Sequence, residues 1–310
     1  MKVLVTGGAG YIGSVLVPML LHEGHEVTVY DKLNWGIHSL MHVVHMSNLR
    51  IIQGDVTNRD HIAEVVLGKD AIIHLAAVVG YPACDSDPDA ALSTNILGTQ
   101  NVVDNMSKTQ IMIFASTGSC YGYVEGVCTE KTTLQPLSLY GKSKVRGEEI
   151  VRSVGGICLR FATLFGLSPR MRLGLLINNL TFTAVKENHI QLFEGHFRRT
   201  FLHVRDAARA IIFALDNAIV MSGQAFNIGD DQLNMTKLQV VHIIQEVLPD
   251  CTISTISDKT DNDKRDYEVS YEKIHKLGFH HKIEVKEGIQ EMLKVFPFLS
   301  LKDSIKYSNI

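Results

Sequence analysis

The sequence predicts an α/β fold: a Rossmann-type doubly wound parallel sheet with a smaller, discontinuous C-terminal α/β lobe. Two observations carry this prediction. Short β-branched runs alternate with segments of helical length through the first half of the chain, and a glycine-rich turn follows the first run. Apolar runs separated by helices are typical of parallel strands that are covered on both faces. Such a sheet binds ligands beyond the carboxyl ends of its strands.

The individual elements follow from this alternation. The six runs predicted as strands cover 3–5, 27–30, 50–52, 71–73, 111–114 and 157–160, and the helical segments between them include 15–23, 60–67 and 90–107. After about residue 167 the rhythm is less regular, with helices predicted at 173–186 and 235–247 and strands at 190–193, 225–229 and 251–256. We expect an NAD-binding domain of residues 1–166 and 202–229, a second lobe of residues 167–201 and 230–310, and a loose tail over 302–310.

Composition excludes several classes of protein. Of 310 residues, 45% are hydrophobic and 20% are charged, which is enough apolar material for a large core. A net charge of −3 gives no bulk attraction to nucleic acid or to an anionic membrane. The five cysteines form no C-x-x-C pair, and no apolar run is long enough to span a bilayer. We therefore expect a cytoplasmic enzyme with reduced thiols.

A glycine-rich turn lies between the first strand and the first helix. The segment from Thr6 to Gly13 reads T-G-G-A-G-Y-I-G. Glycines allow a tight turn and close approach of the backbone to a pyrophosphate, and the helix N-terminus then offers free N–H groups. The predicted cofactor contacts here are Gly7, Gly10, Tyr11, Ile12 and Gly13. An ordinary glycine-rich turn is the alternative interpretation.

An acidic residue after the second strand indicates which cofactor the turn holds. Asp31 ends this strand 18 residues after Gly13. A carboxylate there hydrogen-bonds ribose hydroxyls and repels a 2′-phosphate, which favours NAD over NADP, although Lys32 beside it weakens the inference. Asp55, followed by Val56, comes after the third strand and is predicted to reach the adenine. A simple turn residue is the alternative for Asp55.

A tyrosine and a lysine are the candidate catalytic pair. Tyr140 and Lys144 are spaced i and i+4 on a predicted helix, so they share one face. A tyrosine of ordinary pKa is a poor base near neutral pH, and a neighbouring ammonium would stabilise its phenolate. Thr117, at the end of the fifth strand, is the hydroxyl predicted to hydrogen-bond the reacting oxygen. A packing tyrosine and a polar strand end are the alternatives.

Taken together, these motifs resemble the extended short-chain dehydrogenase/reductases of the nucleotide-sugar epimerase/dehydratase family. The shared segments, in family order, are the glycine turn, Asp31, G-D at 54–55, H-L-A-A at 74–77, N-I-L-G-T at 95–99, the S-T-x-x-x-Y-G segment at 116–122, Y-x-x-x-K at 140–144 and R-F-A-T-L-F-G at 160–166. The resemblance implies NAD as cofactor, a nucleotide-diphosphate sugar as substrate, oxidation at C4 of the sugar, and a homodimer formed through a helix bundle.

The resemblance also implies roles for particular residues. The catalytic positions are Thr117, Tyr140 and Lys144, of which Tyr140 and Lys144 also contact the cofactor. Further cofactor positions are Leu75, Ala76, Ala77 and Asn95. Substrate positions are Ser119, Asn178 (with Asn179 nearly as good a candidate), Arg199 and Arg265. Arginine suits the last two because guanidinium groups pair well with phosphate oxygens.

Departures from the family pattern bear on the reaction. Dehydratases carry an Asp-Glu pair where this chain has Gly118 and Ser119, so elimination of water is disfavoured. Reductase-epimerases place a cysteine at the Ser119 position. The cysteine here is Cys120, one residue later, and it is predicted to point away from the site. Thr163 and Val79 replace an Asn and a Lys of ordinary UDP-glucose 4-epimerases.

Three functions therefore stay open. Segments 159–173, 197–206 and 263–270 are similar to a branch that oxidises C4 of a GDP-heptose or GDP-hexose and reoxidises NADH with a 2-keto acid. A nucleotide-sugar 4-epimerase is held nearly equal, and a non-catalytic NAD-binding protein is the remote alternative. No Cys/His cluster has zinc-ligand spacing, so no metal is expected.

Overall fold

The computed structural model describes residues 1–256 and 267–307. Its strands are β1 (Lys2–Thr6), β2 (Glu26–Asp31), β3 (Leu49–Gln53), β4 (Ala71–His74), β5 (Ile111–Thr117), β6 (Val127–Cys128), β7 (Ile157–Phe161), β8 (Thr163–Phe165), β9 (His189–Leu192), β10 (Arg198–His203), β11 (Ala225–Ile228), β12 (Asn234–Thr236), β13 (Thr252–Thr255) and β14 (Glu268–Val269).

The helices of the described residues are α1 (Gly13–His22), α2 (Arg59–Val66), α3 (Tyr81–Ser86), α4 (Pro88–Leu92), α5 (Gly98–Asp104), α6 (Leu139–Arg152), α7 (Leu176–Glu187), α8 (Val204–Asp216), α9 (Ala218–Met221), α10 (Lys237–Val247), α11 (Glu272–His275), α12 (Val285–Leu293) and α13 (Leu301–Lys306). No helix of the described residues is both long and apolar enough to cross a bilayer.

Seven strands form one parallel sheet in the order β3-β2-β1-β4-β5-β7-β11. The chain order reverses between β1 and β4, which is the topological switch point of a doubly wound sheet. Thr6 of β1 is level with Tyr30 of β2 and with His74 of β4. The loops that follow these three strands therefore share one edge. The predicted fold class is confirmed.

Alternation along the strands explains how both faces of the sheet are covered. Val3 and Val5 belong to the core that includes α1 and α8, whereas Leu4 belongs to the core that includes α2, α5 and α6. All three side chains are fully buried. A strand that is buried on both faces reads as a continuous apolar run, as the sequence of β1 does.

The predicted helix over 90–107 is interrupted. α4 ends at Leu92, a π-helical turn covers Ser93–Leu97, and α5 starts at Gly98. π-Turns are uncommon and concentrate at functional sites, because the extra residue redirects a side chain. The redirected side chain here is Asn95, which is fully buried and points toward the loop after β4.

The second lobe has its own core. β12, β10 and β8 form a three-stranded sheet, β9 pairs with β13, and α7, α10 and α12 pack together around Ile177, Ile244 and Ile289. The domain boundaries stay a prediction. However, Tyr267, Ile274 and other buried side chains up to residue 279 pack with the core of the main sheet. The predicted division places these residues in the second lobe.

The prediction of a loose tail over 302–310 is wrong for its first part. Residues 301–306 form α13. The Tyr307 carbonyl accepts a hydrogen bond from the Leu173 amide at 3.2 Å, and the Tyr307 side chain packs against the second core. Residues 308–310 lie outside the described part of the chain.

Candidate active site

A cleft of about 550 Å³ lies along the carboxyl edge of the sheet. Its walls come from the glycine turn, from the ends of β2, β4 and β5, from the start of α6, and from residues of the second lobe. This is the position that the topological switch point predicts for a ligand.

The glycine turn fits a pyrophosphate. Gly7 has φ of 71°, and a Cβ there would lie 2.6 Å from the Ala76 amide nitrogen. A Cβ on Gly13 would lie 2.6 Å from the Gly8 Cα. α1 begins at Gly13, which lines the cleft, and no side-chain cap covers its N-terminus. The five turn residues that the sequence nominates all line this cleft.

Asp31 is held in place for a ribose. Its carboxylate accepts hydrogen bonds from the Ala9 amide at 3.0 Å and from the Leu33 amide at 2.8 Å. Burial raises the pKa of Asp31, and these two hydrogen bonds oppose the rise. The Lys32 ammonium, which could attract a 2′-phosphate, pairs instead with Asp55 at 2.9 Å. The cleft wall around Asp31 is therefore better suited to NAD than to NADP.

Asp55 is not on the cleft wall. Its carboxylate accepts from the Thr57 amide at 2.9 Å and pairs with Lys32. Burial would raise the pKa of Asp55, but these partners outweigh it and hold the pKa below its ordinary value. Val56 does line the cleft. The contact between Asp55 and the adenine stays a prediction. The Asp55 carboxylate already has two partners, the Thr57 amide and the Lys32 ammonium.

The loop after β4 forms the floor of the cleft. Leu75, Ala76 and Ala77 line it, as the family resemblance implies, but Asn95 does not. Asn95 Oδ1 accepts from the Val78 amide at 2.8 Å, and its Nδ2 donates to the Val78 carbonyl at 3.0 Å. Asn95 therefore positions the loop that lines the cleft, and its direct contact with the cofactor stays a prediction.

A neutral histidine joins this loop to the sheet. Burial lowers the pKa of His74 to about 3. The Thr99 hydroxyl donates to the Asn95 carbonyl at 2.7 Å, so it accepts from His74 Nε2 at 3.0 Å. The other ring nitrogen, Nδ1, then accepts from the Thr6 hydroxyl at 2.7 Å. The chain of bonds ties β1, β4 and the π-turn together beneath the cleft.

The catalytic pair lies opposite the glycine turn. Tyr140 and Lys144 both line the cleft from the first turns of α6, whose N-terminus is capped by the Ser138 hydroxyl. Lys144 Nζ donates to the Ala115 carbonyl at 2.9 Å and lies 4.6 Å above the Phe114 ring. Burial lowers the pKa of Lys144 to about 8. Its ammonium is thus fixed beside the cleft and titrates just above neutral pH.

Two hydroxyls of β5 have different partners. Ser116 is buried, and its Oγ donates to Glu148 Oε1 at 2.5 Å. Thr117 and Ser119 both line the cleft, where the Thr117 hydroxyl donates to the Ser119 hydroxyl at 3.2 Å. Of the adjacent hydroxyls of Ser116 and Thr117, that of Thr117 is therefore the better placed to hydrogen-bond a ligand in the cleft. Cys120 is fully buried, as predicted, and burial raises its pKa.

Two of the predicted substrate residues of the second lobe, Asn178 and Arg199, are not on the cleft wall. Asn178 is fully buried, where its Oδ1 accepts from the Gly166 amide and its Nδ2 donates to the Arg172 carbonyl and the Tyr11 hydroxyl. Both donors of Asn178 are thus used inside the fold, and its contact with substrate stays a prediction. Arg199 is also buried and donates to the Arg198 carbonyl. Arg265 lies outside the described residues.

Two arginines on the cleft wall were not predicted from the sequence. Arg172 lies near Tyr140 and Tyr11, and burial lowers its pKa. Arg170 stacks its guanidinium 4.1 Å from the ring of Trp35, across the cleft from the second lobe to the loop after β2. Both arginines belong to the S-P-R-M-R segment at 168–172. Two arginines so soon after a strand could have indicated an anion site.

The two sides of the cleft suit one type of chemistry. One side offers backbone N–H groups and a carboxylate to a dinucleotide, and the other holds a tyrosine beside a buried ammonium. This fold with a tyrosine and a lysine on the cleft wall is that of the short-chain dehydrogenase/reductase-like enzymes, and the chain is one of them.

Comparison with known proteins identifies the family. The model described as the NAD dependent epimerase/dehydratase family matches residues 3–229, so the chain belongs to that family. It is an enzyme of an NAD-dependent family, and the residues of the glycine turn and Asp31 fit that cofactor.

Relatives include several kinds of nucleotide-sugar enzyme. A dTDP-glucose 4,6-dehydratase of Streptomyces niveus is 28% identical over 95% of this chain and 92% of the relative. A protein described as an uncharacterized UDP-glucose epimerase of Bacillus subtilis is 30% identical over 80% of this chain and 82% of its own. The crystal structure of a dTDP-glucose 4,6-dehydratase of Streptomyces venezuelae with NAD bound superposes with a TM-score of 0.84. It is 25% identical and covers 96% of this chain and 98% of that one.

Proposed function

We propose that the protein oxidises the C4 hydroxyl of a nucleotide-diphosphate sugar. The observation that carries this proposal is that Tyr140 and Lys144, one turn apart on α6, both line the cleft that the glycine turn also lines, with the Lys144 ammonium held by the Ala115 carbonyl. A phenol needs a nearby positive charge to act as a base near neutral pH. Lys144 supplies that charge, and Arg172 adds a second one.

The residues divide the work of one reaction. Tyr140 takes the proton of the C4 hydroxyl, and Lys144 stabilises the phenolate that does so. Thr117 holds the oxygen of the same hydroxyl group. NAD, when bound, accepts a hydride from C4. The turn from Gly7 to Gly13 and the carboxylate of Asp31 fix the position of the dinucleotide relative to the sugar.

Elimination of water is not part of the proposal, although dehydratases are among the relatives. Dehydration needs an acid that protonates the leaving hydroxyl. The acidic side chains on the described cleft wall are Asp31, at the far end, and Asp87, which caps α4 by accepting from the Ala90 amide. The residues next to Thr117 are Gly118 and Ser119, and neither supplies a carboxylic acid.

Two outcomes of C4 oxidation are proposed, and they differ in the fate of the keto sugar. In a 4-dehydrogenase of the GDP-heptose or GDP-hexose type, the keto sugar leaves and a 2-keto acid reoxidises NADH. In a 4-epimerase, the keto sugar rotates within the site and takes the hydride back on its other face. The UDP-glucose epimerase among the relatives favours the second outcome, and the resemblance of the second-lobe segments favours the first.

We also propose a cytoplasmic homodimer. Leu92 and Leu97, in α4 and the π-turn, are 40% and 50% exposed. They give this helical layer apolar surface that a second copy could cover, in line with the helix bundle that the resemblance implies.

Replacement of Tyr140 by Phe tests the mechanism. We expect Tyr140→Phe to lower kcat at least about 100-fold, because the phenol hydroxyl carries the proton, and to leave NAD affinity nearly unchanged. Tyr123→Phe is the matched control, since Tyr123 is 58% exposed and does not line the cleft. Turnover of Tyr140→Phe at the rate of the unaltered enzyme would rule out Tyr140 as the base.

A further inference from the structure

Three metal-ligating side chains meet away from the cleft. Asp230 follows β11, His275 ends α11, and His280 lies in the connection to α12. Their ligand atoms all lie within 4.8 Å of one another, and none of the three residues lines the cleft. Asp230 is 45 residues from His275 in the sequence, so only the fold brings the cluster together.

The spacing within the cluster matches that of ligands on one ion. His275 Nε2 lies 3.3 Å from Asp230 Oδ2. Two ligands that each bind zinc at about 2.0–2.1 Å with tetrahedral geometry lie about 3.4 Å apart. Nε2 is buried and makes no hydrogen bond, so the nitrogen is not directed at the neighbouring oxygen. The Nε2 lone pair is therefore available to an ion that His275 and Asp230 could bind together.

Two neighbouring groups lie beside the proposed ligands. Asp230 Oδ1 accepts from the Gln232 amide at 3.1 Å, which fixes the carboxylate. Asp231 Oδ2 lies 3.8 Å from Nδ1 of His275, the ring nitrogen opposite Nε2, which is too far for a hydrogen bond. A carboxylate on this side of a zinc-bound histidine is a common second-layer group, so Asp231 is in the right place for that role without forming the bond here.

A histidine–aspartate ion pair is the simpler explanation to be weighed. His281 supplies one, with Nδ1 2.8 Å from Asp230 Oδ2 and Nε2 bonded to Glu284 at 3.0 Å. That pair leaves His275 and His280 unexplained, since their rings stack at 4.6 Å beside the same carboxylate. Nδ1 of His281, like Nε2 of His275, makes no hydrogen bond. An ion pair with His281 alone therefore does not account for the two further imidazoles beside this carboxylate, and a cation does.

We infer that Asp230, His275 and His280 form a binding site for a divalent cation of the zinc type. Two imidazoles and one carboxylate suit zinc or a similar transition metal, and the H-x4-H spacing of His275 and His280, which the expectation of no metal overlooked, falls within the usual range for zinc. The ion would join the end of β11 to the segment before α12. Its role would be to stabilise this region, because the cluster lies outside the cleft.

Metal titration of the whole chain tests this inference. Protein stripped by a chelator is titrated with zinc sulfate in a calorimeter and, separately, with cobalt chloride as a spectroscopic probe. We expect one ion per chain and, at saturating zinc, a Tm increase of roughly 5 °C. His275→Gln and His280→Gln should each weaken binding more than about 100-fold, since loss of an outer-layer partner alone costs about 10–100-fold.

The control is His242→Gln, an exposed histidine of α10 outside the cluster, which should bind zinc as the unaltered chain does. His280 is exposed, so His280→Gln is expected to fold normally, and circular dichroism checks this. Absence of stoichiometric zinc binding by the unaltered chain would overturn the inference. Equal affinities of His280→Gln and His242→Gln would overturn it as well, because the ion would then sit elsewhere.

Discussion

Lys144 determines the pH range in which the cleft can work. Its ammonium is buried, donates to a backbone carbonyl, and has a pKa lowered to about 8 by loss of solvent. As the pH rises through that value the ammonium charge is lost, so Lys144 no longer stabilises a phenolate in the cleft. Without that charge, a smaller fraction of a tyrosine is present as phenolate in the working range of pH.

We therefore expect kcat/KM to fall above about pH 8. Lys144→Arg keeps its charge to much higher pH, so any activity that it retains should lack this fall. Lys144→Met should be roughly 10²–10⁴-fold less active across the whole profile. pH–rate profiles of the three proteins check this, and the same fall in Lys144→Arg as in the unaltered enzyme would assign it to another group.

Asp31 is the residue that we propose selects NAD over NADP. We expect Asp31→Asn to weaken NAD binding about 10–100-fold, because hydrogen bonds to a charged group contribute about 1.5–3 kcal/mol. NADP binding should improve relative to NAD, since the repulsion of a 2′-phosphate is removed. Trp35 is the only tryptophan and lines the cleft, so its fluorescence reports both affinities. Asp60→Asn, at an exposed carboxylate of α2, is the control, and an unchanged NAD:NADP ratio in Asp31→Asn would refute the assignment.

Helix α6 carries the catalytic pair, and a buried ion pair fixes its position. Glu148 is one turn after Lys144 on the same face, and it pairs with Arg160 of β7 through two bonds of 2.9 and 2.7 Å. Both side chains are 3% exposed. Ser116 donates to the same carboxylate, so α6 is anchored to two strands directly behind the catalytic residues.

Removal of one partner of this ion pair should lower the stability of the folded protein. We expect Glu148→Ala to lower the free energy of unfolding by about 3–5 kcal/mol, because it leaves the Arg160 charge buried and unpaired. Glu149→Ala is the matched control, since Glu149 pairs with Arg146 at the surface and exposed pairs contribute about 0–1 kcal/mol. Urea unfolding of both variants checks this, and equal stabilities would show that the pair does not anchor α6.

Across the whole molecule, the sequence predicts local features well and distant contacts poorly. The strands of the main sheet and the glycine turn were predictable because each depends on residues adjacent in the chain. Asn178 and Asn95 were assigned to ligands, yet their side chains are hydrogen-bonded to backbone groups of loops 12 and 17 residues away. Arg172 and the Asp230 cluster were missed because their neighbours are distant in the chain: Tyr11 and Tyr140 lie near Arg172, and His275 lies near Asp230.

The most direct test of the account is the mass of the product. Purified protein is incubated with UDP-, dTDP- and GDP-sugars, GDP-heptose among them, together with 2-oxoglutarate. We predict either a product lighter by two hydrogens, which marks a 4-dehydrogenase, or a new isomer of unchanged mass, which marks a 4-epimerase. A protein that binds NAD but alters none of these sugars would contradict C4 oxidation and favour a non-catalytic NAD-binding protein.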